Sequence, residues 1–237
     1  IAEGHPTLWC LILYATKNLV NDPLAMQLVH WFLGVVSAAV FWRFSPFHRI
    51  QKTLFLFGYF PFYEYFVISR NYVLALFFCF LFCAFYPLRK RTYLPLALCI
   101  GLLANSHAFA FLIAGCLGLL LLLEPILYPE YREQLRRRSV LMDVVLSAFI
   151  ALILIGFAAY TLSLASDRAG VDLMRFDAVD LIRIATGYVS LNRTRPADGL
   201  GYLALAFSIL MFFLVAHRLR HRVHLLLFYT CATIALA

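Results

Sequence analysis

The sequence predicts an all-α fold in which a bundle of helices crosses a membrane. Hydrophobic residues make up 64% of the 237 residues and charged residues only 14%, and the mean hydropathy is +0.86. A soluble domain of this length has too little interior to bury so much apolar surface. The apolar runs lack the alternation of barrel strands, so helices are expected to satisfy the backbone inside the bilayer. We therefore expect a single integral-membrane domain over residues 1–237.

Successive apolar runs predict about eight membrane helices. A crossing helix needs roughly 20 apolar residues, and several of the runs are shorter than that. They cover residues 24–42, 53–68, 72–87, 93–104, 108–123, 140–164, 200–216 and 223–237. A further short run at residues 7–20 precedes them. It is expected to form a re-entrant or interfacial helix, and the alternative is a tilted crossing.

Four clusters of basic residues predict which loops face the cytoplasm. They are Arg43, Arg49 and Lys52; Arg89, Lys90 and Arg91; Arg132 and Arg136 to Arg138; and Arg218, Arg220 and Arg222. Short loops rich in Lys and Arg stay cytoplasmic, and all four clusters agree with one topology. The net charge of +8 is therefore expected to attract anionic lipids, and no nucleic-acid partner is expected.

Two connecting segments differ in composition from the apolar runs. Residues 124–138 contain two prolines and an arginine triplet, and are expected to be a cytoplasmic linker that contacts anionic headgroups, with Asp143 neutralised by that triplet. Residues 165–199 mix Asp and Arg, and are expected to form an outer loop whose stretch 177–184 is an amphipathic surface helix. Both ends of the chain look cut, because it opens at Ile1 without Met and stops inside an apolar run.

Polar residues on the predicted outer side are candidates for function, because ionisable groups at membrane depth are costly. Glu3 and His5 precede Pro6 and a helix start, whose free N–H groups favour an anion. Glu64 and Arg70 bracket an outer turn, and Arg suits bidentate contact with a phosphate. A plain helix start and a structural Glu–Arg pair are the alternative interpretations.

A third polar group, Asn105-Ser106-His107, separates two short apolar runs and predicts the outward turn of a helical hairpin. His107 can donate to a phosphate or transfer a proton, although capping by Asn and Ser also explains the turn. His30 lies inside its apolar run and is expected to be a hydrogen-bonded packing residue. The six cysteines lie in apolar runs without metal-like spacing to a histidine pair.

The order of these features resembles the GT-C superfamily of polytopic glycosyltransferases, especially the bacterial group related to dolichyl-phosphate-mannose–protein mannosyltransferases and aminoarabinose transferases. His5-Pro6-Thr7-Leu8-Trp9 is similar to the family's His-Pro-Pro-Leu-Tyr pattern, and Arg70-Asn71-Tyr72-Val73-Leu74 to its Arg-x-Tyr-Ala-Leu pattern. Asn105-Ser106-His107 is similar to its polar turn between paired helices. The similarity covers about the first half of the chain.

The resemblance implies transfer of a sugar from a polyprenyl-phosphate donor to a lipid, glycan or protein on the extracytoplasmic face. His5 and Arg70 match the positions that hold the donor phosphate. A bacterial inner membrane is the expected location, and the need for a divalent metal stays open. The alternatives are a transporter or flippase for a lipid-linked or anionic solute, and a non-catalytic membrane subunit.

The resemblance also implies where the catalytic acid belongs. In the family this residue lies in the first outer loop, and the matching loop would precede Glu3, so the catalytic acid is expected upstream of Ile1. Glu3 and Glu64 are therefore only weak catalytic candidates. Ile68 stands where the family often has a second acid.

Overall fold

The computed structural model describes residues 7–67, 71–135, 138–169 and 199–219, together with residues 222, 223, 225 and 227. Its elements, in order, are α1 (Leu8–Leu19), α2 (Pro23–Phe44), α3 (Arg49–Leu56), a π-helix (Tyr59–Val67), α4 (Tyr72–Phe85), a 3-10 helix (Tyr86–Lys90), α5 (Leu94–Ala104), α6 (Ala108–Leu127), α7 (Pro129–Leu135), α8 (Arg138–Ala169) and α9 (Gly199–Leu219). Across the described ranges every regular element is helical, so the predicted all-α class is confirmed.

Local sequence explains where the second helix begins and ends. The carboxylate of Asp22 accepts a hydrogen bond of 2.8 Å from the backbone N–H of Leu24, and Pro23 occupies the first helical position. Both residues favour a helix start, because an Asp side chain satisfies a free N–H and Pro has none. At the other end, Lys52 Nζ donates to the carbonyl of Trp42 at 2.6 Å, which places a cation on the unpaired carbonyls of the last turn.

Among the described residues, four helices are long and apolar enough to cross a membrane. They are Pro23–Phe44, Tyr72–Lys90, Ala108–Leu127 and Val140–Ser163, of 22, 19, 20 and 24 residues. At about 1.5 Å per residue, each extends about 28 Å or more, which approaches or exceeds the thickness of the hydrocarbon core. These helices coincide with four of the apolar runs found in the sequence.

The other predicted runs take different forms, so the predicted count of about eight crossings is not established by the described helices. The run at 93–104 is α5, with only 11 residues. The run at 53–68 is divided at Gly58, which separates α3 from the π-helix. The run at 200–216 lies in α9, which spans Gly199–Leu219. The last run, 223–237, lies mostly outside the described residues.

The core of the bundle lies around α5. Seven of its 11 residues are buried, and five of these pack with buried residues of α4, α6 and α8 in one cluster. By contrast, most of α8 faces outward, because only 6% of its most apolar stretch is buried inside the protein. Exposed leucine, valine and phenylalanine side chains along α8 suit contact with lipid tails rather than with water.

The segment predicted to be a cytoplasmic linker is largely helical, while its cytoplasmic location and its contact with headgroups stay predictions. Residues 124–127 form the last turn of α6, Pro129–Leu135 form α7, and Arg138 already belongs to α8. The helix continues through Pro125, although a proline inside a helix removes one backbone hydrogen bond. Glu124 is buried there instead of lying in a solvated loop.

The two segments expected at the membrane surface are described only in part. The run at 7–20 forms the 12-residue helix α1, which has no buried residue. Helix α8 continues to Ala169, so the predicted outer loop begins as helix rather than as loop. The predicted amphipathic helix at 177–184 lies outside the described residues.

Candidate functional site

The starts of α1 and α4 and the turn between α5 and α6 meet at one end of the bundle. The backbone N–H of Leu8 donates to the carbonyl of Asn105 at 3.3 Å. The ring of Tyr72, the first residue of α4, lies edge-on to the His107 ring with centroids 4.6 Å apart. Three segments that are distant in sequence therefore bring their polar residues together.

The α5–α6 turn is buried. Asn105, Ser106 and His107 are 5%, 0% and 5% exposed. A buried turn must satisfy its own polar groups, and Ser106 Oγ does so by donating to the carbonyl of Leu103 at 2.6 Å. The prediction of a hairpin turn at these residues is confirmed, but neighbouring helices cover the turn.

Asn105 links the turn to α8. Its Nδ2 donates to the carbonyl of Gly101 in its own helix and to the carbonyl of Leu154 in α8, both at 2.8 Å. Its Oδ1 is buried, and no described residue forms a hydrogen bond with it. A buried carbonyl oxygen without a partner is costly. Within the described part of the chain, Oδ1 thus has no hydrogen-bond partner.

His107 caps α6 with its side chain. Nδ1 accepts a hydrogen bond of 3.1 Å from the backbone N–H of Phe109, and the two rings are stacked with centroids 5.3 Å apart. A neutral imidazole that accepts at Nδ1 carries its proton on Nε2. His107 therefore acts as a helix cap and has its N–H donor at Nε2.

His30 is 2% exposed and lies on α2. Its ring is edge-on to the ring of Trp9 on α1, with centroids 6.2 Å apart. This burial confirms that His30 packs inside the bundle, while the hydrogen bond expected for it stays a prediction.

Among the residues predicted for the site, Asn105 and His107 lie together in one turn. Glu3, His5 and Arg70 are outside the described residues, and Glu64 is described only by its backbone, in the π-helix. In sequence, His5 is two residues before Thr7 and Arg70 directly precedes Asn71, which is 8% exposed. Within the described ranges, no group of three or more His, Cys, Asp or Glu side chains is arranged to hold a metal.

A catalytic acid upstream of Ile1 is a prediction that the structure of this chain does not test. Ile1 itself and the segment up to Pro6 lie outside the described residues, which begin at Thr7. The position of that acid therefore stays a prediction, and so do the weak catalytic candidates Glu3 and Glu64.

A buried ion pair at the opposite end of the bundle was not predicted. Arg89 Nε lies 2.9 Å from Glu124 Oε2, and the two side chains are 11% and 1% exposed. Tyr86 donates to Glu124 Oε1 at 2.6 Å, and Arg89 donates to the hydroxyl of Tyr131 at 2.8 Å. The guanidinium also lies 3.8 Å from the centroid of the Tyr86 ring, a favourable cation–π distance.

This cluster is formed by Tyr86, Arg89, Glu124 and Tyr131. It joins the 3-10 helix that follows α4 to the end of α6 and to α7. The sequence contained one signal for this cluster. Arg89 and Glu124 each lie at the end of an apolar run, and the basic clusters place both of these ends on the same side of the membrane. Glu124 was instead assigned to a solvated linker, so its pairing with a residue 35 positions away was missed.

Asp143 on α8 binds the segment that leads into α5. Its Oδ1 accepts from Thr92 Oγ1 and its Oδ2 from the backbone N–H of Tyr93, both at 2.7 Å. The predicted neutralisation by the arginine triplet involves Arg136 and Arg137, which lie outside the described residues. Asp143 thus anchors one end of α5 to α8, while Asn105 anchors the other.

The fold and these contacts define an all-helical membrane protein with polar clusters at both ends of its bundle. Comparison with protein-family models, with curated proteins and with solved structures finds no match to the chain.

Proposed function

We propose that this protein is a membrane glycosyltransferase that moves a sugar from a polyprenyl-phosphate donor to a lipid, glycan or protein acceptor. The observation that supports it best is the meeting of three polar segments at one end of the bundle: the start of α1, the start of α4, and the α5–α6 turn. These are the three segments on which the resemblance to GT-C glycosyltransferases depends.

In this proposal the two cations nearest to the cluster in sequence, His5 and Arg70, bind the donor phosphate. His5 lies two residues before Thr7, and Arg70 lies one residue before Asn71. Both Thr7 and Asn71 are described members of the cluster. Glu64 orients a sugar hydroxyl or binds a metal. Asn105 Oδ1, which is buried and without a partner among the described residues, accepts from a second hydroxyl of the sugar or from the acceptor.

The reaction breaks the bond between the anomeric carbon and the phosphate oxygen, and forms a bond from that carbon to the acceptor. Negative charge accumulates on the departing phosphate while the acceptor loses a proton to a carboxylate upstream of Ile1. Fixed cations and N–H donors close to the phosphate stabilise that charge more in the transition state than in the ground state. Arg70 and His5 would provide this stabilisation, and the Nε2 proton of His107 would be a further donor.

The proposal includes the arrangement in the membrane. About eight crossings place the cluster on the extracytoplasmic side of a bacterial inner membrane. The basic clusters then lie on the cytoplasmic side, as the distribution of Lys and Arg requires.

The test is transfer of labelled sugar from a polyprenyl-phosphate donor by membranes that contain the protein. Arg70→Gln is expected to lower the rate about 100-fold, the loss typical of removing one group that stabilises transition-state charge. Arg49→Gln, which removes an exposed cation at the start of α3, is the matched control and should keep the wild-type rate. Equal rates for Arg70→Gln and wild type would contradict the role of Arg70.

Substitutions of His107 provide a second test, because its role as the cap of α6 can be separated from its role as a hydrogen-bond donor. His107→Ala is expected to lower both stability and transfer, because the Phe109 N–H loses its acceptor. His107→Asn restores a cap and should recover stability but not transfer. Counterflow of a lipid-linked solute in proteoliposomes, without any transfer, would favour a transporter instead.

A further inference from the structure

An apolar groove opens on the outside of the bundle between α5, α6 and α8. Its volume is about 330 Å³, within the range of roughly 300–1,000 Å³ that is typical of ligand pockets. Its walls include small residues from each helix, among them Ala97, Gly118 and Ala151. The small side chains leave a depression where larger ones would fill the contact between the helices.

The length of the groove corresponds to one leaflet. On α8 its lining runs from Val144 to Ile155, a rise of about 17 Å at 1.5 Å per residue. Half of a hydrocarbon core about 30 Å thick is close to that length. The groove is thus about as long as the part of one acyl chain that lies within a leaflet.

A polar group without a partner lies in the groove wall. Ser147 is 2% exposed and lines the groove, yet no described residue forms a hydrogen bond with its Oγ. A buried hydroxyl without a partner is costly unless a bound molecule supplies one. Carbonyl oxygens of a lipid ester are acceptors that such a hydroxyl can use.

One arginine lies close in sequence to an end of the groove. Tyr93 lines this end, and Arg91, two residues earlier, is exposed. The segment between them is held against α8, because Thr92 Oγ1 and the Tyr93 N–H both donate to Asp143, next to the groove residue Val144. The backbone that carries Arg91 is therefore held beside this end of the groove.

We propose that this groove binds one anionic phospholipid from the leaflet on which Arg91 lies. An acyl chain occupies the groove, the ester region meets Ser147, and Arg91 holds the headgroup phosphate. Arg suits phosphate because its fork of N–H donors binds two oxygens at once. The site lies apart from the α5–α6 turn, and its existence does not depend on the proposed sugar transfer.

The experiment is native mass spectrometry of the full chain, delipidated and then titrated with equal amounts of dioleoyl-phosphatidylglycerol and dioleoyl-phosphatidylcholine. Wild type is expected to retain one phosphatidylglycerol per chain, with about a fivefold preference over phosphatidylcholine, the factor that one basic residue near a membrane surface supplies. Arg91→Gln should remove this preference. Arg43→Gln, an exposed arginine at the end of α2, should keep it.

Filling the groove tests the acyl-chain part of the site. Ala151→Phe should lower retention of both lipids, whereas Ala159→Phe, two turns further along α8 at an exposed alanine outside the groove, should not. Ser147→Ala is the milder variant: it should raise the unfolding temperature of delipidated protein and weaken lipid retention. Each control should match wild type in both measurements.

Several results would overturn the proposal. Equal retention of the two lipids by wild type would show that the headgroup is not recognised. Unchanged retention in both Ala151→Phe and Ser147→Ala would show that the chain lies elsewhere. An equal loss of preference in Arg43→Gln and Arg91→Gln would indicate diffuse surface charge, and loss of a dimer in Ala151→Phe would identify a second copy of the protein as the occupant.

Discussion

Glu124 and Arg89 show how strongly single residues affect this bundle. Both charges are nearly removed from water, so each depends on the other and on the two tyrosines for compensation. Deleting one member of such a pair leaves an uncompensated buried charge, and this typically costs about 3–5 kcal/mol. Replacing both members by apolar residues of similar size is often close to neutral.

Glu124→Leu is therefore expected to lower the free energy of unfolding by about 3–5 kcal/mol. The double variant Arg89→Met with Glu124→Leu should recover most of that loss. Unfolding by denaturant in detergent micelles measures the free energy of unfolding of both variants. Glu130→Gln, which changes an exposed carboxylate on α7, is the control and should shift stability by less than about 0.5 kcal/mol. A double variant no more stable than Glu124→Leu would contradict the pairing.

At the scale of elements, the contact between α5 and α8 depends on Gly101. A Cβ at this position would clash with Leu154 Cδ1 and lie only 2.6 Å from Leu154 Cβ. Because that Cβ is attached to the backbone, rotation of the side chain cannot relieve the contact, and the helices must separate. Separation would also stretch the bond from Asn105 Nδ2 to the Leu154 carbonyl.

Gly101→Ala is expected to destabilise the protein by about 1–3 kcal/mol, the usual cost of overpacking a core. Gly115→Ala in α6 is the matched control, because a Cβ there meets nothing within 4 Å, and alanine favours a helix by up to about 1 kcal/mol. The two variants should change the unfolding midpoint in opposite directions. A stabilising Gly101→Ala would show that α5 and α8 are not closely packed.

At the scale of the whole molecule, the basic clusters and the four long helices predict one orientation in the membrane. With the native cysteines replaced, Asn21→Cys before α2 should react with a membrane-impermeant maleimide added to intact spheroplasts. Glu130→Cys on α7 should react only after the membrane is permeabilised, because it follows a helix that ends near a basic cluster. Reaction of both from the same side would contradict the topology.

Much of the fold follows from composition, because a bilayer leaves few ways to satisfy a backbone. The four long apolar runs and the turn at Asn105 to His107 were predictable for that reason. The length of an apolar run does not decide whether the run crosses the membrane as one helix. The division at Gly58 and the shortness of α5 were therefore not predictable. Glu124 was misassigned because its partner, Arg89, is distant in sequence and is brought to it only by packing.

The candidate site was predictable only in part. Asn105 and His107 were identified because polar residues interrupt an apolar region, but their contacts across the bundle depend on helix crossings that no local pattern encodes. Capping of α6 by His107, rather than by Asn105 or Ser106, is an example. The contact of Asn105 with α8 is another, since it joins residues 49 positions apart.

The shortness of α5 has a consequence for biosynthesis. Its 11 residues extend only about 16 Å, which is too little for a segment to be stably inserted on its own. Both of its ends are tied to α8, which the ribosome makes more than thirty residues later. A nascent chain released before α8 would hold α5 without its main partner, so quality-control proteases should degrade truncated products that end within α6 or α7.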